Sequence, residues 1–395
     1  MTATKVPKLT LWRAITLIIF AAGGYATYLR FVQGLHASTN LSDRMPWGMW
    51  VGFGTLCGVG LSAGAFALSG AVYVLGMERY RPIVRTAVLI GFLGYVSVMF
   101  GYLYEIGLPW RFWHILIYWN HTSMLFDVAM CVMTYTTVLT LEFCPALIEK
   151  IPWKHTRDLV LHWHHRVTVG VVMAGVLLSS MHQSFLGGLF LISPGKLYPL
   201  WYTRNIPALF FLSAIAAGLA MTVIALYLSM RSLDARIDYS ILRDLGRVIA
   251  MLVAVYVMFR GLDLVSRGGA RYLFLPVRET GFFWLEVMLL AIIPFVLLQF
   301  DKVLNTPLYL YWTCCMVVAG FVINRLNVCI TGFERSMSTF YTPKWSEVSS
   351  TLLLVAGCVI AFRYAVIYLD IMPRVVRVVK PAARWLGNGG VVAQA

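Results

Sequence analysis

The chain alternates long apolar runs with short polar connections. Ten runs stand out, near 11–32, 48–76, 85–104, 121–144, 164–189, 207–230, 247–266, 281–300, 305–324 and 347–370. Each reaches the roughly 20 residues that a helix rising 1.5 Å per residue needs to cross a hydrocarbon core. The pattern therefore predicts an all-α integral membrane protein of ten spanning helices, numbered below in chain order. The first run has a rival reading, because Lys5, Lys8 and the small residues Ala21 to Gly24 also suit a secretory leader. It continues to Arg30, which predicts a retained helix.

Composition agrees with the pattern: 60% of the 395 residues are hydrophobic, 12% are charged, and mean hydropathy is +0.77. These values exclude a soluble globular domain. The net charge of +15 could suit nucleic acid, but the basic residues are scattered over many short loops and form no stripe. Sidedness explains them better. With the N-terminus inside, the inner segments hold 19 Lys and Arg and the outer segments 10, leaving Arg30, Arg260 and Arg363 within helices. Positive residues accumulate on the cytoplasmic side, so both termini are expected there, in a bacterial inner membrane. The seven cysteines, at 57, 131, 144, 314, 315, 329 and 358, contain no CxxC pair, and no iron–sulfur cluster or metal site is expected in this chain.

An ionisable side chain at the bilayer centre costs about 2.5–3.5 kcal/mol on insertion scales, so depth is informative. Arg30, Glu105, His121, Asp127, His182, Arg260, Asp263, Glu286 and Arg325 all fall toward the predicted outer helix ends. For Arg30 and Arg325 the expectation is snorkelling or helix-end capping. Arg260 and Asp263, spaced i, i+3, and Glu286 read as a buried ion-pair group. The residues of helices 3 to 5 are different, because two histidines and two carboxylates converge there, which predicts an outer polar pocket.

Helix 2 opens with Met45-Pro46-Trp47-Gly48-Met49-Trp50, a helix start with interfacial tryptophans. It continues through Gly52, Gly54, Gly58, Gly60 and Gly64, whose two Gly-xxx-Gly spacings serve either tight packing or a wall for a flat ring. The connection from helix 3 to helix 4 holds Glu105, Trp113, His114, His121, Ser123 and Asp127. Reducing a quinone takes two electrons and two protons, so its carbonyls need hydrogen-bond donors and a titratable relay. His121, His182, Glu105 and Asp127 can supply both. On helix 4, Asp127, Thr134, Tyr135 and Glu142 share an arc of roughly 100° over about 22 Å. That face reads as a proton path; the competing account has Glu142 meeting basic loop residues while the threonines bond back to their own helix. Helix 5 carries Met181-His182-Gln183-Ser184, expected at the outer face.

At these residues the chain resembles the NrfD/polysulfide-reductase family of membrane subunits, most of all its ten-helix, HybB-like branch. The likeness rests on Pro46-Trp47-Gly48-Met49-Trp50, Glu105-Ile-Gly followed by Pro-Trp-Arg, Ser123-Met-Leu-Phe-Asp127, Glu142-Phe-Cys-Pro-Ala-Leu and Met181-His182-Gln183-Ser184, and runs in the same order over nearly the whole chain. The resemblance implies two four-helix bundles, helices 2–5 and 6–9, flanked by helices 1 and 10. The corresponding segments are 1–45, 46–190 with the quinone pocket, 191–325, and 326–395. It further implies no tightly bound cofactor and menaquinone as substrate. A periplasmic ferredoxin-like iron–sulfur subunit is implied as partner, within a complex that also holds hydrogenase or multihaem cytochrome c subunits. Trp47, Trp50, Trp113, His121, His182, Gln183 and Ser123 are the expected quinone contacts. The chain departs from the family's pattern at Glu105, where aspartate is common, at Leu108, where arginine is frequent, and at Asp127, where glutamate is frequent.

Three rivals remain at this level. His121 and His182, at similar predicted depth, could ligate a haem b. A transporter would show broken helices and charges at the midplane. A pure anchor would leave His121, Asp127 and His182 without a task.

Overall fold

The computed structural model describes residues 11–150, 152–233 and 237–372. Lys5, Lys8 and the basic tail from Arg374 to Arg384, on which the charge count partly rests, lie outside them. The protein is all-helical and multi-pass, with ten helices long and apolar enough to span a membrane. They are α1 (Leu11–Gln33), α2 (Trp50–Val74), α3 (Glu78–Glu105), α4 (Met124–Ile148), α5 (Arg166–Ile192), α6 (Ile206–Ser232), α7 (Tyr239–Ser266), α8 (Arg278–Leu297), α9 (Pro307–Met337) and α10 (Trp345–Tyr368).

The differences from the hydropathy windows have local causes. α3 and α7 begin earlier than expected because their first turns, with Arg81, Arg85, Ser240 and Arg243, are polar enough to escape a window but still helical. Asp238 caps α7, accepting from Ser240 N at 2.9 Å and Ser240 Oγ at 2.6 Å, and these bonds hold its carboxyl below the usual range. α9 runs on to Met337 through a wide π-helical turn at Asn327–Thr331. Arg325 is thereby drawn inside and is 1% exposed, which overturns the expectation that it snorkels at a helix end. Arg30 is also buried, and it caps a neighbouring helix: Nε donates to the Tyr104 carbonyl and Nη2 to the Ile106 carbonyl, each at 2.6 Å, at the end of α3.

Helices α2 to α5 pack in succession, and α5 returns to α2; α6 to α9 do the same. α6 is the hub, touching α2, α3, α5, α7 and α9, with 72% of its most apolar window buried against 17% for α1 and for α10. α1 and α10 lie against each other, and α10 runs along α3. The end carrying the 106–123 connection is called the hairpin face here. At that face α10 is stapled to the α1–α2 connection. Glu347 accepts from Asn40 N and Lys344 N, Ser346 Oγ donates to the Ser38 carbonyl, and Trp50 Nε1 donates to Ser350 Oγ at 2.9 Å. At the opposite face Arg79 pairs with Asp244 at 2.7 Å, joining the two helix groups, and Arg85 pairs with Glu149 at 2.7 Å.

Lipid offers no hydrophobic drive for one helix to prefer another over acyl chains, so close packing holds the assembly. Glycines permit it. A Cβ added to Gly64 would lie 2.4 Å from the Gly218 carbonyl oxygen, and one on Gly218 would lie 2.2 Å from Gly64 N. Gly60 similarly seats the Phe321 ring, and Gly58 seats Val98. Most of the glycine run of α2 is therefore spent on packing.

Gly218→Val is expected to lower the thermal midpoint of the detergent-purified protein, by overpacking of about 1–3 kcal/mol or more. Gly261→Ala, at a site with open space around the glycine, should leave it unchanged or slightly raised, as thermal unfolding would record.

Candidate functional site

The apolar interior of α2–α5 is interrupted by a column of polar side chains. Nearest the hairpin face, Thr55 Oγ1 donates to Glu105 Oε1 at 3.0 Å. One turn further along α2, the Val59 carbonyl accepts from Gln183 Nε2 at 3.1 Å. The neighbouring His182 is fully buried, its Nδ1 3.0 Å from the Tyr95 hydroxyl. The Tyr95 ring stands edge-on to Tyr135 with centroids 4.6 Å apart. Toward the opposite face, Ser69 Oγ donates to Glu142. Between Thr55 and Ser69 the column covers about 20 Å of helix rise.

Several of its atoms are unfinished. His182 Nε2, Gln183 Oε1, Ser179 Oγ, Tyr135 Oη and Tyr102 Oη are buried without a hydrogen-bond partner among the described residues. Leaving a buried donor or acceptor unpaired costs about 1–3 kcal/mol each, and the surrounding lipid has nothing to offer them. A cluster of such atoms between four helices is a cradle for water or for a ligand with hydrogen-bonding oxygens. Its two ends, Glu105 and Glu142, are carboxyl groups able to pass protons to and from it.

The structure sorts the residues expected from the sequence. Glu105, His182, Gln183, Tyr135 and Glu142 belong to the column. His121 and Trp113 do not reach it: both are exposed on the hairpin, where His121 touches Trp119 and Phe126 and Trp113 stands edge-on to His114. Asp127 sits half-buried in the first turn of α4, and Ser123 spends its hydroxyl capping that helix. Trp50 turns away to Ser350 of α10, while Trp47 is wedged between Phe190 and Phe333. Thr134 faces outward and donates to the Met130 carbonyl at 2.8 Å, so it stands apart from Tyr135. The expected depth of His182 needs correction as well. α5 continues to Ile192, which puts the imidazole about 15 Å inside the helix end rather than at the face.

A family model described as Polysulphide reductase, NrfD, matches residues 37–335. The chain belongs to the NrfD family. It is 30% identical over 349 residues, 87% of this chain and 88% of the relative, to the probable Ni/Fe-hydrogenase 2 b-type cytochrome subunit of Escherichia coli (strain K12). It is 27% identical over 396 residues, 94% and 93% of the two chains, to the integral membrane subunit of the menaquinone reductase of Nitratidesulfovibrio vulgaris. A further N. vulgaris protein is 34% identical over 372 residues, 91% and 94% of the two chains.

The name of the E. coli relative raises haem, and the pair His121 and His182 does not fit one. His121 lies exposed ahead of α4, whereas His182 is sealed well inside α5 against Tyr95. Two axial ligands of one haem must face each other across its iron, and these two are separated in depth.

A second polar network in this NrfD chain lies within α6–α9 and the connection before α6. Glu286 is fully buried and accepts from Trp201 Nε1 at 3.0 and 3.1 Å, Asn324 Nδ2 at 3.1 Å and Asn327 Nδ2 at 2.7 Å. Arg325 donates to Asn324 Oδ1, the Phe210 carbonyl and Ser213 Oγ, and its guanidinium carbon lies 3.6 Å from the Phe210 ring centroid. The expected Arg260–Asp263 pair is absent. Asp263 binds Arg267 at 2.9 Å instead, one helical turn on, and Arg260 reaches the Leu200 carbonyl.

Sequence reasoning missed Tyr95, Tyr102, Thr55, Ser69 and Ser179. A signal existed for the tyrosines, since Tyr95, Tyr102 and Glu105 fall on one face of α3 at 3.6 residues per turn. The hydroxyls on α2 were hidden among its glycines.

Asn327→Ala removes the shortest donor to Glu286. It is expected to lower stability by about 1.5–3 kcal/mol, seen as a lower thermal midpoint, and Glu286→Gln in the same background should recover part of the loss.

Proposed function

We propose that this NrfD protein is the quinone-reactive membrane subunit of a respiratory oxidoreductase complex. It exchanges electrons between an extrinsic iron–sulfur subunit on the hairpin face and menaquinone or menaquinol. The observation that carries the reading is the group of unpaired, buried polar atoms around His182, within reach of carboxyl groups toward both faces. Support also comes from the family and from a menaquinone reductase membrane subunit among the relatives.

A quinone entering the column brings carbonyl oxygens, which accept hydrogen bonds. His182 Nε2 and the hydroxyls of Tyr135 and Ser179 are free to meet them, while Tyr95 fixes the imidazole through Nδ1. On reduction each carbonyl oxygen takes one proton. Glu105 supplies the route from the hairpin face; Tyr135 and Glu142, with Ser69, supply one from the opposite face. Asp127 and His121, at the hairpin-face end of α4, take the part of relaying protons and guiding the headgroup. In this reading the hairpin face is periplasmic, the protein sits in a bacterial cytoplasmic membrane, and both termini are cytoplasmic. Hydrogenase or multihaem cytochrome c subunits complete the complex, and no cofactor is held by the chain itself.

In the assembled complex His182→Ala is expected to slow quinone turnover at least ~100-fold, the lower end of what a positioned proton donor contributes. Tyr135→Phe and Glu105→Gln should slow it less. Unchanged rates in all three, and in Asp127→Asn, would reduce the chain to an anchor. A reduced-minus-oxidised visible spectrum of the purified subunit, with its quinone extracted, provides an independent check. Menaquinone without a haem band is expected, and a b-type band would overturn the cofactor-free reading.

A further inference from the structure

Over α6–α9 the hairpin face opens into a cleft of about 840 Å³, toward the upper end of the range for ligand pockets. Four cations stand around it: Lys196, Arg204, Arg267 and Arg335. The single carboxylate of its lining, Asp263, is already held by Thr203, Asn205 and Arg267. Lys196, Arg204 and Arg335 take part in none of the ion pairs among the described residues.

A second, independent feature points the same way. Tyr198, on the cleft wall, is 6% exposed, and its buried hydroxyl finds no acceptor for its proton among the described residues. The Arg335 guanidinium lies 5.8 Å from its ring centroid. A phenol O–H with a guanidinium over its ring needs an acceptor, and Lys196, Arg204 and Arg335 have no carboxylate partner among the described residues. Membrane insertion selects against Lys and Arg on the non-cytoplasmic side, so four of them round one cleft on that face call for a local reason.

We propose that the cleft receives an acidic segment, a run of Asp or Glu side chains, of the extrinsic subunit that docks on the hairpin face. The inference rests on the functional reading above, which places that subunit there. Carboxylates supply the acceptors that Arg204, Arg335, Lys196 and Tyr198 lack, and arginine forks match them two bonds at a time. The lining comes from helix ends and connections at the hairpin face and not from the lipid-facing flanks of the helices, which favours a segment arriving from water over a lipid headgroup.

The test uses the whole complex carrying Arg204→Glu together with Arg335→Glu, with Arg44→Glu, elsewhere on the same face, as control. Half-release of the extrinsic subunit from the detergent-solubilised complex is expected at about half the wild-type NaCl concentration or less, and unchanged in the control. A photo-crosslinker at Ser336 should capture an Asp/Glu-rich peptide of that subunit. Release at the wild-type salt concentration, or a crosslink to phospholipid alone, would overturn the proposal. Titration of each form with a naphthoquinone, followed by tryptophan fluorescence, is scored separately. Unaltered binding in the double variant shows that the fold survives, and failure of the wild type to bind would count against the quinone reading while leaving the docking result intact.

Discussion

The backbone crossing of α2 and α6 at Gly64 and Gly218 sets the distance between the two halves of the molecule. α6 packs against α2, α3, α5, α7 and α9, and a side chain at either glycine would occupy the place of the other's main chain. Because the bilayer core is as apolar as leucine, the helices gain nothing simply from leaving it. They gain from dispersion contacts, which fall away steeply when a gap opens. The same crossing brings α2 into register with α3 and α5, so that Thr55 meets Glu105 and the Val59 carbonyl meets Gln183.

The two helix groups treat buried polarity differently. In α6–α9 both oxygens of the Glu286 carboxylate are met by donors from Trp201, Asn324 and Asn327, which stiffens that carboxylate, although Arg325 Nε in the same network stays unpaired among the described residues. In α2–α5 the imidazole, an amide oxygen and three hydroxyls are left open. The contrast separates a framework from a receptor within one chain. A charge fixed by several donors resists change, while a cluster with unpaired donors and acceptors can take up a hydrogen-bonding ligand.

The helices were legible from hydropathy because lipid enforces length and apolarity together. Their polar ends were less so, as α3 and α7 show, since a helix can begin in residues that a window rejects. Depth proved hardest to read. His182 was assigned to the outer face and Arg325 to a helix end, yet α5 continues to Ile192 and α9 to Met337, which moves both residues inward. Glu105, Gln183 and Glu142 are functional candidates because carboxyl and amide groups in an apolar run need a reason, and Tyr135 joins them by sharing the α4 arc of Glu142. Tyr95, Tyr102 and the α2 hydroxyls were passed over because tyrosine, serine and threonine in a membrane helix are common. Thr134 shows why sharing an arc is a weak criterion: it lies beside Tyr135 in sequence but bonds back to its own helix.

The bonds that seal the flank of α2 and α3 join residues far apart in the chain. Arg30 of α1 waits for carbonyls 74 and 76 residues later, and Trp50 waits for Ser350, 300 residues later. During synthesis a ribosome must therefore deliver α1 with an unsatisfied guanidinium and hold it near the insertion machinery until α3 emerges. The seam between α1 and α10 closes only when the last helix arrives. A nascent chain halted before that point displays an unpaired arginine or an open flank to the membrane, which gives quality-control proteases a simple mark of incomplete assembly.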